Sequence, residues 1–333
     1  MNGIYRCKSY CFQDFAFWYR PLSLFFQAFD VLWGEGGTLP RTARRKELLS
    51  PTETPAQAAR IISTAEFHAA VHAALNHPAP RVAVFDCDGT LWSGDAGSGF
   101  MHWTVQRAAE GNDQGILSPE AIAWLDQRYR GYLAGQVSEL DICGQMVQVY
   151  RGLRESDMRA AAAEFFATRI EPDIFPEMLA LIRDLQAAGT EIWAVSSTCD
   201  WVIEEGVRRF SIPASRVLAA RVAIANGIVT DTLLDVPTDE SKVAALARAG
   251  ITAPGAVFGN SVHDAAMLAI ARSHKAINGA SGAKGISGTK GISETKAASG
   301  AFPVNPTPAL LQRAAHEGWP VFYPASVRPA GAP

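Results

Sequence analysis

Two aspartates, Asp86 and Asp88, follow the short apolar run 82–85, which is typical of a buried strand. Because alternate residues of a strand and of its first loop turn point the same way, both carboxylates can reach one point at the carboxyl end of the strand. Open α/β sheets bind their ligands at that end. One carboxylate there can attack a phosphorus atom while the other transfers a proton. The alternative is a strand followed by an acidic turn, since Asp-Gly is common turn chemistry.

Three later parts of the chain carry polar residues that suit the same chemistry. Ser196 comes directly after the apolar run EIWAV, where its hydroxyl and the N–H groups after it could hold phosphoryl oxygens. A simple helix cap is the alternative for this serine. Lys242 lies in the helix-like run DESKVAAL, and Asn260 and Asp264 follow an apolar run that ends at Gly259. Together with the aspartate pair, these positions predict a phosphate-handling site.

In their order, these four motifs resemble the haloacid-dehalogenase superfamily, whose members are mostly magnesium-dependent phosphatases. The resemblance covers residues 80–273 and resumes at 301–324. It implies an α/β fold in which a Rossmann-like parallel sheet carries helices on both faces. The long segment between the first two motifs has helical periodicity, and the resemblance implies an inserted all-helical cap domain, as in the phosphoserine-phosphatase-like branch.

The resemblance implies a role for each motif residue. Asp86 is the expected nucleophile, which forms an aspartyl-phosphate, and Asp88 is the expected acid and base. Ser196, with Ser197 beside it, is expected to hold phosphoryl oxygens, and Lys242 to supply a fixed positive charge. The expected activity is therefore that of a phosphomonoesterase that acts on a small phosphorylated metabolite.

The resemblance also implies a magnesium ion, held by Asp86, by Asp88 through its backbone carbonyl, and by Asn260. Asp264 is expected to lie behind these ligands and to hold the waters of the metal and the lysine. Asn260 departs from the family pattern, which usually has an aspartate there. An amide still offers an oxygen to Mg²⁺ but no charge, so we expect a lower metal affinity.

The substrate is indicated by residues near the first motif. Asp95 matches the position at which phosphoserine phosphatases carry an acid that faces the substrate amine. Trp92 and Trp103 could offer aromatic faces to a quaternary ammonium, or they could pack between the core and the cap. Around Gly144 and Gln145, where the resemblance places a carboxylate-binding arginine, the chain has none. A carboxylate-free phosphoamine, such as phosphocholine or phosphoethanolamine, is therefore favoured over phosphoserine.

Two other functions stay open at this point. A phosphotransferase would use the same aspartyl-phosphate and pass the phosphoryl group to an alcohol in place of water. A non-catalytic phosphate-binding protein would need the fold without the reaction, and only Asn260 supports it. Dehalogenation is disfavoured because Asp88 is the acid that phosphoryl-transfer members carry.

The rest of the chain predicts where the domains begin and end. The segment 1–54 has no recognisable fold. It is expected to be a disordered arm, a mis-extended start or a weakly amphipathic contact segment. A helix is expected at 55–76, and further helices after Ser118 and Ser138, which can cap them. Gly, Ser, Ala and Lys dominate a low-complexity loop at 275–300. The predicted divisions are an extension at 1–54, a core at 55–94 and 186–324, a cap at 95–185, a loop at 275–300 and a tail at 325–333.

Composition narrows the class of protein. The 333 residues carry a formal net charge of −3, so no broad basic surface argues for a nucleic-acid partner. Five scattered cysteines form no disulfide framework and favour a reducing, cytoplasmic location. No apolar stretch is long enough to span a membrane, so no membrane partner is expected. The oligomeric state stays open, and the expected partner is a small-molecule phosphomonoester.

Overall fold

The computed structural model describes residues 58–109, 117–274 and 298–333. Predictions for residues 1–54 and for most of the low-complexity loop lie outside these ranges. The strands are β1 (Val82–Phe85), β2 (Glu191–Cys199), β3 (Val217–Ala225), β4 (Ile228–Asp235), β5 (Ala256–Gly259), β6 (Ser273–His274), β7 (Ala298–Ser299) and β8 (Ala301–Pro303).

The helices lie before β1, between the strands and after β8. They are α1 (Thr64–Ala74), α2 (Ala96–Ala109), α3 (Pro119–Leu133), α4 (Glu139–Gln148), α5 (Glu155–Phe165), α6 (Pro176–Ala187), α7 (Asp200–Val207), α8 (Glu240–Arg248), α9 (Ala265–Ala269) and α10 (Pro308–Glu317).

Within the described residues, six strands form one sheet in the order β4-β3-β2-β1-β5-β8. All neighbours are parallel except β3 and β4, which are antiparallel. The predicted α/β fold is confirmed, but β4 departs from a fully parallel sheet. Asn226 and Gly227, with φ of 52° and 76°, form a tight turn between β3 and β4, and a two-residue connection can join only antiparallel strands.

The two faces of the sheet are buried against helices. In β1, Phe85 packs on one face with Phe258 and Phe302, while Val84 packs on the other face with Val257. This alternation follows from the two-residue period of a strand. Parallel strands that are covered on both faces read as continuous apolar runs, which is why this strand could be found in the sequence.

In its described residues, the segment between β1 and β2 is helical, from α2 to α6. Only short turns and isolated β-bridges interrupt the helices. Its predicted helix starts are confirmed. The Ser118 hydroxyl accepts a hydrogen bond from the Ala121 N–H at 3.2 Å, and the Ser138 hydroxyl accepts one from the Asp141 N–H at 3.1 Å. Both caps satisfy N–H groups that the first helical turn leaves without a partner.

Two boundaries differ from the prediction. The helix predicted at 55–76 begins only at Thr64, because Ser63 and Glu66 form a reciprocal capping box there. At the end of the low-complexity loop, β7 pairs with β6 and Gly300 lies so close to the Gly255 carbonyl that a Cβ would approach its oxygen to 2.1 Å. The loop therefore ends before its predicted limit.

No helix in the described ranges has the length and apolarity that crossing a bilayer requires.

Candidate active site

An ion triad lies at the carboxyl ends of the central strands. Lys242, on α8, donates to Asp86 Oδ1 at 2.7 Å and to Asp264 Oδ1 at 2.6 Å. All three side chains are almost fully buried. The other oxygen of Asp86 accepts a hydrogen bond from the Thr90 hydroxyl at 2.9 Å. The structure thus brings together predicted residues from three separate motifs, because β1 and β5 are neighbours and end at the same edge.

The charges of the triad change the pKa values of its members. Burial and the nearby Asp264 raise the pKa of Asp86 to about 7, although Lys242 opposes this shift. Burial alone would lower the pKa of Lys242, but the carboxylates of Asp264 and Asp86 hold it above its ordinary value. Lys242 therefore remains a cation at neutral pH, and the carboxylates compete for its single charge.

Asp88 is held in place by three donors. Its Oδ1 accepts from Trp92 Nε1 at 2.7 Å and from the Ala96 N–H at 2.8 Å, and its Oδ2 accepts from the Thr198 hydroxyl at 2.7 Å. Burial and the charge of Asp95 raise the pKa of Asp88 to about 6. A carboxyl group with a pKa this close to neutrality can both give and take a proton.

The end of β2 supplies the hydroxyl groups. Ser196 is 1% exposed, and its hydroxyl accepts a hydrogen bond from the Thr198 N–H at 3.1 Å. Ser197, beside it, is half-buried. The strand extends to Cys199, further than predicted, with an irregular register between Val195 and Cys199. Such an irregularity re-aims side chains at the end of a strand.

Asn260 and Asp264 belong to one tight loop after β5. The Asp264 Oδ2 accepts hydrogen bonds from the N–H groups of Asn260 and Ser261, both at 2.9 Å. The Asn260 side chain lies against Gly89, where a Cβ would come within 1.9 Å of its Nδ2. Gly89 also has a φ of 72°, so both its conformation and this contact require glycine. Asn260 is thereby placed directly beside the loop that carries Asp86.

The donor set suits a divalent cation. Two carboxylates, those of Asp86 and Asp264, share the single ammonium of Lys242, and the negative charge of Asp88 also acts on Asp86. A bound Mg²⁺ would balance this excess of buried negative charge. In the described part of the chain, no three His, Cys, Asp or Glu side chains form a metal cluster. The predicted ligand set instead combines a carboxylate, a backbone carbonyl and the Asn260 amide.

The residues predicted to face the substrate differ in their exposure to solvent. Asp95 is exposed and accepts a hydrogen bond from the Ser98 N–H at 2.9 Å, at the start of α2. Trp92 is fully buried and bound to Asp88, and Trp103 is covered by Arg107, whose guanidinium carbon lies 4.6 Å from the ring centroid. The packing alternative therefore holds for both tryptophans, and neither offers a free aromatic face.

Three polar contacts were not predicted from the sequence, two of them in the site and one between α3 and α4. Thr90 and Thr198 bind the two aspartates of the first motif directly. Arg128, on α3, donates from Nε to the Gln145 side chain at 2.8 Å, close to the position where no arginine was found in α4 itself. Thr90 follows Asp86 by four residues and could have been proposed from that spacing. Thr198 and Arg128 reach their partners only through the tertiary fold.

Comparisons with known proteins agree with this architecture. Residues 83–269, more than half of the chain, match the family described as haloacid dehalogenase-like hydrolase. A protein of unknown function from Bordetella pertussis Tohama I is 20% identical with a TM-score of 0.54, over 74% of this chain and 99% of that one. A functionally unknown protein from Anaerococcus prevotii DSM 20548 is 12% identical with a TM-score of 0.50, over 81% and 93%. A substrate-bound phosphoserine phosphatase is 13% identical with a TM-score of 0.44, over 75% and 95%. No curated protein matches.

Proposed function

Because the chain belongs to the haloacid dehalogenase-like hydrolases, we propose that it is a magnesium-dependent phosphomonoesterase that works through an aspartyl-phosphate. The observation that carries this proposal is the buried triad in which Lys242 bridges Asp86 and Asp264 at the end of the sheet. Burying charged groups costs free energy because they lose their hydration. A buried charge cluster at the ligand-binding edge of the sheet therefore favours a functional role.

The proposed reaction assigns one step to each side chain. Asp86 attacks the phosphorus atom, while Asp88 gives its proton to the departing alcohol. Asp88 then takes a proton from the water that hydrolyses the aspartyl-phosphate. Ser196 and the N–H groups after it donate to phosphoryl oxygens, and Lys242 offsets the negative charge that gathers on them.

The carboxylate of Asp86, the carbonyl of Asp88 and the amide of Asn260 would hold Mg²⁺. When bound, the ion neutralises charge on the phosphate and on the acids around it. We further propose that the inserted helices act as a cap that closes over this edge of the sheet and excludes water.

A screen of small phosphomonoesters with and without Mg²⁺ tests the proposal. We expect phosphate release from at least one ester, and loss of that release when the metal is chelated. Product analysis with added acceptor alcohols separates a hydrolase from a phosphotransferase, because only the second makes a new ester. A folded chain that binds phosphate but turns over no ester would point to the non-catalytic alternative.

Replacing Asn260 tests the proposed metal ligands. We expect Asn260→Asp to keep activity and to lower the Mg²⁺ concentration needed for half-maximal rate, because an ionised oxygen replaces a neutral one. The measurement is initial rate against magnesium concentration. Asn305→Asp is the matched control, since its amide donates to the Gly89 carbonyl nearby at 3.4 Å. An unchanged half-saturation in Asn260→Asp would mean that Asn260 does not bind the metal.

We propose a phosphoamine as the substrate, with Asp95 binding its cationic group. We expect Asp95→Asn to raise KM for phosphoethanolamine about tenfold to a hundredfold, the value of a hydrogen bond to a charged group, and to leave glycerol phosphate nearly unchanged. Asparagine can still accept from the Ser98 N–H, so the start of α2 is preserved. Equal changes for both esters would argue against substrate recognition, since a shift in the pKa of Asp88 would affect all substrates alike.

A further inference from the structure

Asp239, the residue before α8, has a backbone conformation that L-amino acids rarely adopt. Its φ of 47° and ψ of −128° are those of the first central residue of a type II′ turn, a position that glycine normally occupies. The turn is closed by the Ser241 N–H, which donates to the Thr238 carbonyl at 2.8 Å. Holding a side chain in this region costs free energy, so glycine would strain the backbone less. The aspartate therefore indicates that its side chain has a use.

The carboxylate of Asp239 contacts the loop after β5. Its Oδ1 lies 2.8 Å from Nδ1 of His263, and the ring N–H donates because an ionised carboxylate can only accept. On the other side of the ring, Nε2 is 3.9 Å from Glu139 Oε2 of α4, too far for a hydrogen bond. The side chains of His263 and Asp239 are 35% and 44% exposed, and a pair this exposed adds little to stability. Stability alone therefore does not account for the strained aspartate.

This contact joins the same two elements that the ion triad joins. Asp239 comes three residues before Lys242, whose N–H donates to the Asp239 carbonyl at 3.2 Å in the first turn of α8. His263 comes directly before Asp264, which accepts from the Lys242 ammonium at 2.6 Å. The start of α8 and the loop after β5 are thus connected twice, by a buried pair and by a partly exposed one. An outer contact that fixes the start of α8 also fixes where the ammonium lies relative to Asp86.

We propose that Asp239 and His263 are positioning residues that hold Lys242 within reach of both carboxylates of the triad. The proposal rests on the proposed function and deepens it, because Lys242 is the cation assigned to the transferring phosphoryl group. Asp239 and His263 act through Lys242 and take no part in the chemistry. Their effect is on distance, since a displacement of about 1 Å at a catalytic group can cost on the order of a hundredfold in rate.

Asp239→Gly tests this because one change removes the carboxylate and relieves the backbone strain. The Asp239 side chain makes no cap hydrogen bond to α8, so glycine removes no cap. We expect the thermal midpoint to stay the same or to rise, while kcat falls about tenfold to a hundredfold and KM stays within about threefold.

Three further variants identify the cause of that fall. Asp239→Asn keeps an oxygen that can accept from His263 and should restore most of kcat. His263→Phe keeps a ring but lacks the N–H, so it should lower kcat as Asp239→Gly does, and combining the two should lower it no further. Asn226→Gly relieves a positive φ of 52° in the turn between β3 and β4, and as the control it should leave kcat unchanged.

A second measurement does not depend on turnover. If Asp239 positions Lys242, Lys242→Met should lower the denaturation midpoint less in the Asp239→Gly background than in wild type. An equal fall in both backgrounds, or a wild-type kcat in Asp239→Gly, would overturn the inference. A clear drop in the thermal midpoint of Asp239→Gly would also overturn it, since the pair would then stabilise the fold. If wild type hydrolyses no ester while the two changes remain coupled in unfolding, only the proposed function fails.

Discussion

Asp86→Asn is expected to lower the rate of phosphomonoester hydrolysis by roughly 10⁴- to 10⁶-fold, the usual loss when a catalytic nucleophile is removed. An amide has the same shape as the carboxylate but cannot attack phosphorus at a useful rate. Its oxygen can still accept one of the hydrogen bonds that Lys242 and Thr90 donate to Asp86. The loss should therefore come from the chemistry and not from unfolding, which a thermal melt would check.

Asp86 has two proposed roles, as nucleophile and as metal ligand, and a label separates them. Acid quenching of wild-type protein during turnover of a phosphate-labelled ester should leave the label on the protein, and Asp86→Asn should carry none. Asp184→Asn, at an exposed position on α6, is the control and should match wild type in both rate and labelling. Near-normal turnover by a folded Asp86→Asn protein would refute the covalent mechanism.

Three of the motif residues could be predicted because each follows a strand that is buried on both faces. Such strands read as apolar runs, and the first polar residue after each run must lie at the edge of the sheet. That reasoning located Asp86, Ser196 and Asn260. These three residues lie at one edge of the sheet, since β2, β1 and β5 are neighbours in it.

Some features were present in the sequence but not used. The Asn226-Gly227 pair is a strong signal of a tight hairpin and would have predicted the antiparallel strand β4. Ser63 and Glu66 have the spacing of a capping box and would have placed the start of α1 correctly. In both cases the signal is local, and a closer reading of turn and cap residues would have recovered it.

Other features could not be predicted from sequence alone. Thr198 reaches Asp88 across 110 positions of the chain, and Glu139 reaches His263 through the docking of α4 on the core. No local pattern separates Glu139 from any acidic residue in the first turn of a helix, where such residues are favoured by the helix dipole. Its contact with His263 is visible only in the folded chain.

Lys242→Met is expected to lower the free energy of unfolding by about 3–5 kcal/mol, because it leaves two buried carboxylates without their cation. The distances of 2.7 Å to Asp86 and 2.6 Å to Asp264 make Lys242 their common partner. Denaturant unfolding with and without Mg²⁺ measures the change. Arg313→Met removes a cation from the exposed pair with Glu317 at 3.0 Å, and should cost no more than about 1 kcal/mol.

A second substitution identifies the cause of that loss. If uncompensated charge destabilises Lys242→Met, adding Asp264→Asn should restore part of the stability, so the two changes should not be additive. The pH dependence has a definite sign. The pKa of Asp86 is already raised in the folded wild type, and losing the lysine that opposes this shift raises it further, so the folded variant binds more protons. Lowering the pH from about 8 to about 5 should therefore stabilise Lys242→Met relative to wild type. Additive losses with no such dependence on pH would mean that Lys242 stabilises the fold by packing, and the charge argument for the site would fail.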